Sequence, residues 1–165
     1  MKLCSRGHGF AAGLAVISCS ALLGAMVRAK APPGQYQYQA ASDAVVDLKT
    51  RLSWQRAATS PKTLTANSIS SAAYCVGLKL GGFSEGWRVP TRKELETIVD
   101  ASNTPGKPTI DEDAFPNTPA WPFCTSSIPL EQPPASWVVD FALGGSYLVK
   151  PPNDVCWVRC VHSVQ

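Results

Sequence analysis

The sequence predicts an α+β domain, and three observations carry that prediction. A strand-like Trp87-Arg88-Val89 breaks at Pro90 and re-enters as a helix opened by Thr91-x-x-Glu94. In that spacing the threonine hydroxyl caps the helix and the glutamate reaches back to the threonine amide. The last third of the chain changes to period-two apolar runs separated by Gly and Pro turns, the pattern of antiparallel strands. Two helical stretches followed by such strands form an α+β arrangement.

The first 31 residues stand apart. Lys2, Arg6 and His8 give a basic start, Phe10 to Val27 is almost wholly apolar or small, and Ala29-Lys30-Ala31 has the A-x-A form of a cleavage site. This is the layout of a secretory signal peptide over 1–31, and it predicts an exported protein of the periplasm, cell surface or extracellular space. Retention as a membrane anchor, or lipidation of Cys19 within Val16-Ile17-Ser18-Cys19, is the alternative, and the only membrane attachment the sequence offers. Four of the 15 basic residues (Lys2, Arg6, Arg28, Lys30) and none of the 12 acidic ones lie in this segment. The mature chain therefore carries 11 basic against 12 acidic side chains. The overall charge of +3 belongs to the leader, and nucleic-acid binding loses its support.

Residues 32–42 read as a linker or a fraying first strand with Tyr36 and Tyr38 alternating. The domain proper is expected over 43–165. Val45 through Gln55 reads as two strand pieces around an Asp47-x-Lys49-Thr50 turn, a hairpin. Ile69, Ala72, Ala73, Val76 and Leu80 follow helical spacing up to Gly81-Gly82, which ends the first helix. In the second, Leu95, Ile98 and Val99 make the buried stripe. A long proline-rich connection follows, from Thr104 through Pro134, interrupted by a short strand at Phe123 to Ser127. Ser136 to Ala142 is the clearest strand, Gly144-Gly145 its turn, Tyr147-Leu148-Val149 its partner, and Val155 to Val161 a closing strand that pairs with the first hairpin.

Four cysteines remain after the leader: Cys75, Cys124, Cys156 and Cys160. An even number in an exported domain predicts disulfides, with three connectivities open. Their spacing is not that of zinc ligands, and His162 is the sole histidine outside the leader. No metal and no cofactor are expected.

The order of motifs adds to this reading. It runs from Val46-Asp47, Thr50-Arg51-Leu52 and Trp54-Gln55, through Ala73-Tyr74-Cys75 and Gly86-Trp87-Arg88-Val89-Pro90-Thr91, to Glu94-Leu95. It continues with Ile110-Asp111, Phe115-Pro116-Asn117-Thr118, Thr125-Ser126-Ser127, Trp137-Val138-Val139-Asp140-Phe141 and Val158-Arg159-Cys160-Val161. Over about residues 43 to 162 the chain resembles the Lcl C-terminal domain family of bacterial proteins. The resemblance implies a C-type-lectin-like fold, related to that of formylglycine-generating (sulfatase-modifying) enzymes, with two helices, paired terminal strands and a long irregular loop region. It further implies a Cys75–Cys160 disulfide from the first helix to the last strand. Cys124 departs from the family, which more often has an aromatic residue there. Its pairing with Cys156 is inferred from this chain.

Candidate sites are sparse. Asn153-Asp154 resembles part of the calcium motif of sugar-binding lectins, but the accompanying Trp is missing and Glu131-Gln132-Pro133 is the wrong tripeptide. Asp111-Glu112-Asp113 reads as a solvated acidic loop, and Arg88, Asp100, Asp140 and Arg159 as a mutually paired, half-buried charge network. Among the later aromatics (Trp121, Phe123, Trp137, Tyr147, Trp157), Trp121 is the one expected at the surface, because prolines surround it. His162 has no readable Ser or Cys partner. The expected function is a binding or adhesion module that recognises a glycan or surface protein through Trp121, Asn153 and Asp154. The alternatives are an enzyme related to formylglycine-generating proteins, using Cys124 or Cys156 with copper, and a structural envelope protein without a small ligand.

Overall fold

The structure, a computed structural model, describes residues 30–38, 43–59, 68–102, 105–132, 135–150 and 155–164. The expected signal peptide up to residue 29, with Cys19 and Ala29 of the expected cleavage site, lies outside the described residues. Among those described are seven strands and two helices: β1 Tyr36–Tyr38, β2 Ala44–Asp47, β3 Leu52–Gln55, α1 Ser68–Val76, α2 Arg92–Glu96, β4 Pro122–Cys124, β5 Ser136–Asp140, β6 Gly145–Val149 and β7 Val161–Ser163. They form an antiparallel four-stranded sheet β1-β2-β3-β7 and an antiparallel three-stranded sheet β4-β5-β6. No helix among the described residues is long and apolar enough to cross a membrane.

The β2–β3 hairpin closes because Asp47 satisfies its own turn. Its carboxylate accepts from Lys49 N at 3.0 Å and from Thr50 Oγ1 at 2.8 Å, while its carbonyl accepts from Arg51 N. Arg51 takes φ 57° to make the reversal. The expected pairing of the first hairpin with the last strand is present: Leu52, Ser53 and Trp54 face Ser163, His162 and Val161. The closing strand is shorter than expected, however. Residues 155–160 form only single bridges, because Cys156 and Cys160 are both drawn into disulfides. Likewise Trp87-Arg88-Val89 is one bridge, Arg88 to Val161, rather than a strand.

In the smaller sheet β4 and β5 are buried on both faces, whereas β6 is largely open until Val149. Phe123 and Val139 point into one core cluster with Trp54, Leu95, Ile98, Phe115 and Phe141, while Cys124, Val138 and Val149 point into the other with Cys75, Trp87 and Val158. Two-sided burial explains why β5 reads as an unbroken apolar run instead of alternating.

α2 begins at the expected capping box: Glu94 N donates to Thr91 Oγ1 and Thr91 N to the Glu94 carboxylate. The helix is a single short turn and a half; Leu95 is buried in it, and Ile98 just after it. The face predicted for α1 is wrong at Ala72, Ala73 and Val76; Leu80 does pack against the core, and the Ile69 side chain lies outside what is described. Ser71 and Cys75 are buried and Tyr74 and Leu78 partly so, whereas Ala72, Ala73 and Val76 face solvent, Val76 at 68%. The buried set has the same i, i+3, i+4, i+7 spacing, two residues out of register. Two bonds impose it: the Cys75–Cys160 disulfide and the hydrogen bond from Gln55 Nε2 to the Tyr74 hydroxyl at 2.8 Å. Both inferred disulfides, Cys75–Cys160 and Cys124–Cys156, are formed.

The proline-rich connection is not an open recognition loop over its first half. Thr109, Ile110, Asp111, Ala114, Phe115 and Thr118 are all buried. Fully burying side chains such as Ile110 and Phe115 contributes about 2 kcal/mol each, so this stretch closes one side of the core. Thr109 fixes it by donating its N–H and its hydroxyl to Phe141 O, at 2.7 and 3.0 Å.

Candidate functional site

The surface beside β4 holds the one described residue of the predicted site. Trp54 and Trp87 are buried and Trp137 and Trp157 half-buried, but Trp121 keeps 49% of its surface exposed. Its backbone is fixed all the same: its N–H donates to Pro119 O at 2.9 Å, and its carbonyl accepts from Phe141 N at 3.2 Å. The turn that begins at Phe141 carries a second exposed apolar side chain, Leu143, at 82%. Asn153 and Asp154 lie outside the described residues. The chain resumes at Val155, and Trp157 N donates to Pro122 O, one residue from Trp121. Phe123 is core, and the guanidinium of Arg92 covers the Trp137 ring at 4.4 Å, which leaves Trp137 less of a free face.

A concave surface lies elsewhere, away from the predicted site residues. A groove of about 610 Å³ is lined by Phe83, Ser84, Glu85, Gly86, His162 and Ser163 among others. The His162 imidazole stacks on Phe83 at 3.9 Å and lies 5.7 Å from Trp87. It can do so only because residue 86 has no side chain. A Cβ there would stand 2.8 Å from His162 Nε2, and Gly86 also takes φ 83°. His162 Nδ1 is buried and has no hydrogen-bond partner among the described residues. The legible signal was the cluster Gly81-Gly82-Phe83 and Gly86-Trp87, read only as a helix stop and a family motif. In this setting the ring is a packed wall of the groove.

The charged residues at motif positions do not form the expected network. Arg88 and Glu94 pair through two bonds, Nη1 to Oε2 at 2.8 Å and Nη2 to Oε1 at 2.7 Å, and Arg88 Nη2 also donates to Ser163 Oγ. The Arg88 bonds, followed in weight by those from Thr91, hold the Glu94 carboxyl below the usual carboxylate range. Asp100 and Asp140 instead cap local turns, accepting from Ser102 N and Ala142 N. Arg159 is fully buried, and among the described residues it has no carboxylate partner. Its Nη1 donates to the carbonyls of Gln55 and Arg56 at 2.9 and 2.6 Å, its Nη2 donates to Thr118 Oγ1 at 2.7 Å, and its plane sits 4.6 Å over Phe115. Burial pulls its pKa down to about 9, so it remains a cation at neutral pH. It clasps the end of β3 to the long connection.

Asp111 is buried rather than solvated, at 7% exposure. One of its oxygens accepts from Asp113 N and Ala114 N and the other from Ala31 N. Nearby, burial first and then the Asp47 and Asp111 carboxylates push the Tyr36 hydroxyl pKa up. Cys124 and Cys156 are bonded to each other and present no thiolate for copper. Among the described residues no group of His, Cys, Asp and Glu is arranged to hold a metal ion.

In comparisons with known proteins, a family model described as the Lcl C-terminal domain matches residues 43–162. No curated protein and no solved structure matches the chain.

Proposed function

Because the chain belongs to the Lcl C-terminal domain family, we propose that it is an exported binding module that recognises a glycan or a protein partner through the surface around Trp121. The observation that carries this reading is the contrast among the five tryptophans: four are packed, and the one that is half exposed has a hydrogen-bonded backbone. A rigid exposed indole loses little entropy on contact and offers a broad apolar face to a sugar ring or a protein side chain. The architecture is consistent with a C-type-lectin-like scaffold, in which terminal strands pair, a disulfide joins the first helix to the end of the chain, and a small second sheet carries the loops. The two disulfides suit an oxidising compartment and support export. They also count against the copper-thiolate enzyme, which needs a free cysteine.

The test is saturable retention on a glycan and glycosaminoglycan array. Trp121→Ala is expected to abolish retention at unchanged melting temperature. Retention that survives Trp121→Ala but is lost in Ser84→Trp, which fills the groove beside His162, would move the binding surface there and refute the Trp121 reading.

A further inference from the structure

The geometry points to proteolytic maturation between Ala29 and Lys30, with the new N-terminus docked on the acidic turn at Asp111 to Asp113. This inference rests on the export reading above. The sequence holds two overlapping small-residue cleavage sites, Val27-Arg28-Ala29 and Ala29-Lys30-Ala31. The second has the cleaner A-x-A form, but the fold uses the two residues that cutting there would remove.

Ala31 N donates to Asp111 Oδ2 at 2.8 Å, and Lys30 Nζ stands 3.2 Å from Asp113 Oδ2. Asp111 is a buried carboxylate whose Oδ1 starts the turn that delivers Phe115 to the core. A chain that began at Pro32 would take the Ala31 N–H away from Oδ2, in a neighbourhood already made negative by Asp47 and Asp100. A buried acceptor stripped of its donor is destabilising. From Pro32 onward the segment is bonded into the sheet: Gln35 N donates to Pro32 O at 3.1 Å, and Leu48 N to Gln35 O at 2.9 Å. The docked region therefore runs continuously from Lys30 into β1.

The scissile bonds also differ. Ala31–Pro32 is a tertiary amide without an N–H, and proline restricts the residue before it. Ala29–Lys30 is an ordinary secondary amide. Its hydrolysis by an export-linked peptidase adds one water, leaving a carboxylate on Ala29 and an α-ammonium on Lys30. That ammonium and Lys30 Nζ together bring two positive charges to a turn that carries Asp111, Glu112 and Asp113. The Lys30–Asp113 pair is largely exposed, so it orients the terminus more than it stabilises it.

The test is intact mass and N-terminal sequencing of the full chain, expressed with its own leader in a bacterial host and recovered from the periplasm. Lys30 is expected as the first residue. Ala31→Leu should leave the cut in place, since residue 31 is then on the product side, and Ala29→Asp should block it. A Pro32 terminus, or a block by Ala31→Leu, overturns the assignment and leaves export standing. An exported but uncut chain also overturns it. A chain retained in the cytoplasm overturns both.

Discussion

Removing the Cys75–Cys160 bridge tests how α1 is held. The nine residues Ser68–Val76 are too few to be helical alone, and among the helix side chains described, those from Ser70 onward, Ser71, Tyr74 and Cys75 face the core, with Leu78 just beyond the helix. The bridge spans 85 residues, and the Cys124–Cys156 bridge, spanning 32, lies inside that loop. With the inner bridge closed, about 53 residues of free loop remain, for which the chain-entropy relation gives about 4.2 kcal/mol, against about 4.6 for an unbridged loop of 85. Cys75→Ala/Cys160→Ala should therefore lower the urea unfolding free energy by about 4 kcal/mol. The native-state consequence is local: amides of residues 71–77 should exchange at a free energy well below that of β2, β3 and β5. A loss under about 1 kcal/mol with α1 protection unchanged would show that packing at Tyr74 and Leu78, and not the bridge, holds the helix.

Other outcomes follow from the same structure. Gly86→Ala should cost about 2 kcal/mol, from positive φ and the clash with His162, and less in a His162→Ala background; equal costs in the two backgrounds would dissociate the glycine from the ring. The carboxyl pKa of Glu94 is depressed, so its stabilisation is full above the unfolded value of about 4.3 and fades as pH falls through the lower folded value. The native chain should accordingly exceed Glu94→Gln by about 1 kcal/mol at pH 7, discounted for partial exposure, with the gap closing in acid below about pH 4; a pH-independent gap refutes the ion pair. Arg159→Met should destabilise by about 2–4 kcal/mol by leaving the Gln55 and Arg56 carbonyls and Thr118 Oγ1 without their donor. Arg159→Lys should recover only part of that loss, because an ammonium lacks the planar fork; full stability of the Met variant in urea would remove the clasp role.

What could be read from the chain was what is local. The Thr91–Glu94 box, the Asp47 turn and the β5–β6 hairpin each depend on residues within a few positions, and they appear where the spacing put them. The α1 register failed because hydropathy favours Ala72, Ala73 and Val76, while the actual anchor is a covalent bond to Cys160, 85 residues away. Arg159 was misjudged for a related reason. Its partners are two main-chain carbonyls and a threonine more than 40 residues away, and carbonyls leave no compositional trace. At the surface, the prolines around Trp121 did signal exposure. The His162 groove leaves little trace in the sequence, because a glycine that makes room for a ring looks the same as one that ends a helix.

The placement of β7 between β3 and the Arg88 bridge has a consequence for biogenesis. The last of the described strands completes the larger sheet, and Cys156 and Cys160 lie just before it in the chain. A chain that crosses a membrane from its N-terminus exposes Cys75 and Cys124 to oxidant while their true partners are still behind. Pairing in order of emergence joins these two, and that bond belongs to neither native bridge. On the proposed export route, reaching the native pairs from that bond requires thiol–disulfide reshuffling, a matter of seconds to hours, and the yield would follow the isomerase capacity of the receiving compartment.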